Sequence, residues 1–187
     1  MSSPDWSLEH YRPLLALHVR QVRLAHLFQA RFDVSDVVQE ACLRAFKGRD
    51  QVRGRTEAEL VGWLQAIVGN VLVDLVREHG ADRRDPRLER SLAAAGDDPG
   101  APLAAYLSAS DPGPSTLAGR QEDLLRLAAA VEQLPEAERD AVVAHYLLGL
   151  SLADAAGRLG RSAKGVAGLL FRGKKLLREL LARAGVA

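Results

Sequence analysis

The residues best suited to chemistry lie in one run, LSLADAAGRLGRSAKGVAGLLFRGKKLLREL, spanning 150–180. No acidic residue stands between Asp154 and Glu179, whereas Arg158, Arg161, Lys164, Arg172, Lys174, Lys175 and Arg178 do. A cationic cluster on one short segment is the electrostatic footprint of a polyanion binder. A solvated helix face is the commoner meaning of a charge run. Turn length and the small residues favour the first meaning. Leu152–Leu159 reads as a short helix whose Ala155 and Ala156 let a second helix cross closely. Gly160 supplies a tight turn, and Ser162 can cap a helix running from about Ser162 to Ala184. This is helix-turn-helix spacing, in which the second helix enters the major groove of DNA. An ordinary helical hairpin is the bland alternative.

On that second helix the chemistry divides. Lys164, Arg172, Lys174 and Lys175 can neutralise phosphates, which positions a protein without reading sequence. Base reading falls to the first turns, at Ser162, Ala163, Lys164, Ala167 and Gly168. Lys164 is the long side chain there suited to a guanine edge. Arg161 and Phe171 complete the candidate set. The reading face is nearly bare, so close backbone approach and DNA shape are expected to share the work.

Other chemistries find little support. Gly160 and Gly165 have the glycine spacing of a phosphate-binding loop. Val166 and Ala167 stand where Lys and Ser or Thr are needed, and no strand precedes them. The five histidines (His10, His18, His26, His79, His145) show no metal-ligand spacing. Asp36 and Glu40 lie one helical turn apart without a neighbouring histidine, which suits a polar contact face better than a metal. Cys42 is alone, which excludes a disulfide framework, and it falls on an apolar face as a core thiol. No catalytic residue, metal or cofactor is expected.

The elements that must position these residues are helical. Ala, Leu and Val dominate an apolar share of 48%, against only 5% aromatics, a balance that favours helices over sheets. The expected fold is all-α, with two small helical domains joined by a flexible linker, over 1–80, 81–117 and 118–187. The linker reading rests on five prolines (Pro86, Pro99, Pro102, Pro112, Pro114) and on Asp-Pro, Pro-Gly and Gly-Pro turn signals. Charge follows the same division: residues 118–187 carry eleven basic against eight acidic groups, while 1–80 balance at ten of each. No apolar run approaches the ~20 residues of a membrane span, so a soluble, cytoplasmic protein is expected.

Within the first domain, SDVVQEACLRAFK reads as a helix capped by Ser35. Val37, Val38, Ala41, Cys42 and Ala45 share its apolar face. Asp36, Gln39, Glu40, Leu43 and Lys47 form the opposite one, polar with a Leu at its centre, which suits a partner surface. After a break at Gly48–Arg55, a long helix spans about Glu57–His79. Leu60, Leu64, Ile67, Val68, Val71 and Leu75 form its buried stripe, and Trp63, Asn70, Asp74 and Arg77 recur on another face. In the last domain, Pro135 opens a helix that Gly149 ends.

At this point the chain resembles the extracytoplasmic-function sigma factors of bacterial RNA polymerase. Asp36-Val37-Val38-Gln39-Glu40 followed by Leu43-Arg44-Ala45-Phe46 is similar to that family's D-x-V-Q-E-x-F-L-R-A-[WF] signature. Trp63-Leu64, Ile67, Asn70, Asp74 and Arg77 resemble its W-L-x-x-I-x-x-N-x-x-x-D-x-x-R pattern. Gln133-Leu134-Pro135 through Arg139 resembles the L-P-x-x-x-R start of its C-terminal domain, and the helix-turn-helix follows. The resemblance implies that Asp36, Gln39, Glu40, Leu43 and Lys47 bind the clamp helices of the polymerase β′ subunit. It implies that the break at 49–59, with Arg53 and Arg55, captures a flipped base of the promoter −10 element. Trp63, Asn70, Asp74 and Arg77 would flank the melted DNA. The last helix would read the −35 element, and the β flap and an anti-sigma factor would be further partners. Two stretches depart from the family: Val52-Arg53-Gly54 stands where Phe-Arg-Gly is usual, and Gly165-Val166-Ala167-Gly168-Leu169-Leu170 where Thr-Val-Lys-Ser-Arg-Leu is usual. The competing reading is a DNA-binding regulator that uses residues 1–80 for sensing or dimerisation and does not engage polymerase.

Overall fold

The computed structural model describes residues 8–26, 32–52, 56–79 and 114–184. They form α1 (Leu8–His26), α2 (Val34–Gly48), a 3₁₀ turn (Arg49–Val52) and α3 (Glu57–His79). After the gap come α4 (Pro114–Glu132), α5 (Glu136–Val142) with a π-helical turn (Val143–Leu147), α6 (Leu152–Leu159) and α7 (Ala163–Arg183). Among the described residues there is no strand, as the composition led one to expect. Helix α4 begins at Pro114, inside the stretch read as linker; the linker's residues 81–113 lie outside the described residues.

The helix starts follow local chemistry. Asp33, not Ser35, caps α2: its Oδ1 accepts hydrogen bonds from the Ser35 backbone N–H and hydroxyl, both at 2.9 Å. Those bonds hold the Asp33 carboxyl below the usual carboxylate range. Starting at Val34 places that side chain in the core. Thr56 and Glu59 satisfy each other's backbone at the start of α3 as a capping box, the Glu59 carboxylate accepting from the Thr56 N–H at 2.7 Å.

Helix α1 is the centre of the packing. Leu14, Leu15, Leu17, Val19 and Val22 are all buried, on several sides of the helix, so α1 must be covered nearly all round. Helices α2 and α3 cover part of it, with Val37, Val38, Ala41 and Ala45 meeting Leu60, Leu64, Val68, Val71 and Leu72. Helix α4, with Leu124, Leu125, Ala128 and Val131, and the π-helical turn Val143–Leu147 cover the other side. One hydrophobic cluster therefore runs through both halves of the chain.

The junction between the halves is also ionic. Arg20 on α1 donates to both carboxylate oxygens of Glu132, at 2.9 and 3.3 Å, and Arg139 donates to the same carboxylate at 3.0 Å. Arg23 stands 3.6 Å from Asp140, and Arg158 of α6 donates to the Leu24 carbonyl. Gln21 Nε2, Arg139 Nε and Asp140 Oδ1 are buried there without a hydrogen-bond partner.

Candidate DNA-binding and partner-docking faces

The C-terminal site is built by two caps and a glycine. The Ser151 hydroxyl accepts from the Asp154 N–H at 3.1 Å and starts α6. Gly160 ends it at φ +61°, a left-handed conformation that side chains resist. Ser162 Oγ accepts from the Gly165 N–H at 3.1 Å and starts α7. Ala155 and Ala156 are buried where α7 crosses, as expected from their size. The helix-turn-helix has the bounds read from its sequence at α6, and α7 begins at Ala163.

Helix α7 buries Val166, Leu169, Leu170 and Gly173. Gly173 is the closest approach: a Cβ there would come within 3.0 Å of Val142 on α5. The outward face carries exposed Arg161, Ser162, Ala163, Lys164, Ala167, Phe171, Lys174 and Lys175, with Gly168 half-buried. Phe171 is 74% exposed. Arg172 is exposed too, but its Nε donates to Glu138 at 2.9 Å, which lowers the Glu138 pKa. That guanidinium is thus tied to α5, whereas Lys164, Lys174 and Lys175 project without a recorded ion pair among the described residues. The cationic ridge faces away from the core, as a groove-entering helix requires.

The N-terminal site centres on α2. Asp36, Gln39, Leu43 and Lys47 are exposed and Glu40 half-exposed, so the five residues read as a partner surface do share one solvent face. Leu43 is 49% exposed and Phe46 58%; the Arg49 guanidinium lies 4.6 Å from the Phe46 ring centre. Phe46, which stands in the sequence motif, and Arg49 thus extend this face beyond the five residues legible from helical spacing. A cleft of about 410 Å³ lies beside it, lined by Asp33, Asp36, Glu40, Asp74 and Glu78 around Arg44.

Of the residues read as facing melted DNA, Asn70 is exposed and Trp63 half-buried on α3. Arg53 and Arg55 lie outside the described residues, as does the side chain of Arg77. Asp74 is engaged elsewhere: its Oδ2 accepts from Arg44 Nη1 at 2.6 Å, across from α2. Among the described residues no cluster of His, Cys, Asp and Glu could hold a metal, and no helix is long and apolar enough to cross a membrane.

Both halves of the chain match known family models. Residues 8–81 match Sigma-70 region 2, and residues 124–177 match Sigma-70, region 4. The chain belongs to the extracytoplasmic-function sigma factors. It is 29% identical over 182 residues to the ECF RNA polymerase sigma factor SigE of Mycolicibacterium smegmatis, covering 96% of this chain and 63% of that protein. It is 29% identical over 149 residues to the RNA polymerase sigma factor CnrH of Cupriavidus metallidurans, covering 80% of this chain and 73% of that one. A co-crystal structure of the sigma factor RpoE with the anti-sigma factor NepR from Bartonella quintana matches at 20% identity and a TM-score of 0.35, over 90% of this chain and 93% of that one. The match of region 2 to α1–α3 removes the ground for reading residues 1–80 of this sigma factor as an unrelated sensing domain.

Proposed function

We propose that the chain acts as a promoter-specificity subunit, binding core RNA polymerase and directing it to −10 and −35 elements with no catalytic activity of its own. The observation that carries this reading is the pairing of two exposed faces on one chain. One is polar with apolar centres at Leu43 and Phe46, and the other is a cationic ridge on a helix-turn-helix. The first has the make-up of a protein-docking surface and the second that of a phosphate-binding one.

In this reading Asp36, Gln39, Glu40, Leu43 and Lys47 grip the β′ clamp helices. Arg53, Arg55, Trp63, Asn70 and Arg77 meet the melted −10 strand, where stacking and cationic contacts hold single-stranded DNA. Arg161 to Gly168 enter the −35 major groove, with Phe171, Arg172, Lys174 and Lys175 beside the backbone. The β flap would hold the C-terminal domain, and an anti-sigma factor would compete for the same faces. The work is done in the cytoplasm, where polymerase is.

The double substitution Asp36→Arg, Glu40→Arg tests the docking face. Both side chains reach solvent, so the fold should survive, by circular dichroism. Co-purification with core polymerase and transcription from a promoter library should be lost. Retained co-purification would refute the reading.

A further inference from the structure

We propose that Arg44 and Asp74 are positioning residues of the polymerase-docking face, and that Asp74 serves that face rather than DNA. The inference rests on the reading of α2 as the docking helix.

Arg44 stands one turn after Glu40 on α2. Its Nε donates to Glu40 Oε1 at 2.7 Å, and its Nη1 reaches across the cleft to Asp74 Oδ2 at 2.6 Å. Both are short, charge-assisted bonds, and a guanidinium's planar fork fixes the direction of each carboxylate it holds. The fork thus ties one oxygen of Glu40 and leaves Oε2 for a partner. It also ties α2, which carries the docking residues, to α3, which carries Asn70.

Asp74 limits what Arg44 can do. With Asp74 holding one arm, the guanidinium cannot swing wholly onto Glu40. Remove Asp74, and Arg44 is free to pair with both Glu40 oxygens and neutralise the carboxylate that a cationic partner needs. Remove Arg44, and the Glu40 side chain must be ordered by the partner at an entropic cost. A carboxylate engaged in this way, in a cleft with Asp36, Glu40 and Glu78, is poorly placed to approach a phosphate backbone.

The test uses the full chain, fluorescently labelled, titrated with core RNA polymerase. A single-stranded −10 oligonucleotide is then titrated onto the assembled, polymerase-saturated complex. Asp74→Asn and Arg44→Gln should each weaken polymerase binding about five- to tenfold. Their melting temperatures should move by no more than about 3 °C, because the trio is half-exposed and its ion pairs are screened by solvent. Oligonucleotide binding by the saturated Asp74→Asn complex should be unchanged. The exchange Arg44→Asp, Asp74→Arg returns a guanidinium to the same trio from α3 and should recover most of the affinity. Polymerase binding unchanged in Asp74→Asn, oligonucleotide binding lost in it, or no recovery in the exchange would each overturn the inference. If the unaltered chain itself fails to bind polymerase, the docking reading falls first and takes this inference with it.

Discussion

Arg20 and Glu132, 112 residues apart in the chain, hold each other through two hydrogen bonds of 2.9 and 3.3 Å. The pair closes the N-terminal helices onto the C-terminal ones, with side chains only 11% and 21% exposed. Promoter elements centred at −35 and −10 lie about 25 base pairs apart, roughly 85 Å along B-form DNA at ~3.4 Å per pair. Two domains in direct contact do not span that length. On the proposed reading, the closed form is expected to open before both elements are held, with the ionic junction as the place where it parts.

Glu132→Arg should unlatch it. The new cation would face Arg20 and Arg139, leaving three like charges at a poorly solvated junction. The cost to the closed form is expected at about 2 kcal/mol, below that of a fully buried pair. Small-angle scattering should record a larger radius of gyration while helix content stays constant, and Arg20→Glu added to Glu132→Arg should reverse part of the change. A scattering profile identical to the parent's would show that this pair does not hold the halves together.

On the DNA side, Lys164→Ala should weaken binding to a −35 duplex at low salt and flatten the dependence of log K on log salt by about 0.9, the share of one phosphate contact. Lys164 projects from the first turn of α7 beyond Ser162 and Ala163, where a groove-entering helix meets its target. An unaltered slope would take Lys164 out of the interface.

His18 supplies a pH dependence. Burial lowers its pKa from 6.5 to about 4. The unfolded chain takes up a proton near pH 6.5 and the folded chain only near pH 4, so the unfolded state binds more protons between them. Stability is therefore full above pH 6.5, falls as pH drops through this window, and levels off below pH 4. The loss amounts to at most about 3 kcal/mol. Urea unfolding from pH 7 to 4 should show this slope, and His18→Leu should flatten it. Equal slopes in both proteins would assign the effect to other groups.

Much of this was legible in the residues. The helix Leu152–Leu159 and its glycine stop were, because Ser151, Gly160 and Ser162 act through bonds within a few residues. The outer face of α2 was, because helical periodicity alone sets which residues share a side. The cap of α2 was not. Asp33 and Ser35 are both good caps two residues apart, and the burial of Val34, a tertiary fact, selects Asp33. The same holds for Arg44: the spacing to Glu40 hints at an (i, i+4) pair, but Asp74 is 30 residues away. Arg20 and Arg23 find their carboxylates, Glu132 and Asp140, far along the chain, pairings that no local spacing announces. Gly173 lets α7 lie against Val142 on α5, a close approach that nothing local to its position encodes.

The shared core under α1 has a consequence for dissecting the protein. Sequence divides the chain neatly, with region 2 at 8–81 and region 4 at 124–177. Packing does not respect that division, since one side of α1 is finished by Leu124, Leu125, Ala128 and Val131 of α4 together with the π-helical turn. A chimera that exchanges the C-terminal half for a relative's inherits an uncovered strip of leucines and two stranded arginines. Interchange of halves between such proteins should succeed only when the α1-facing residues of α4 travel as a set with those of α1.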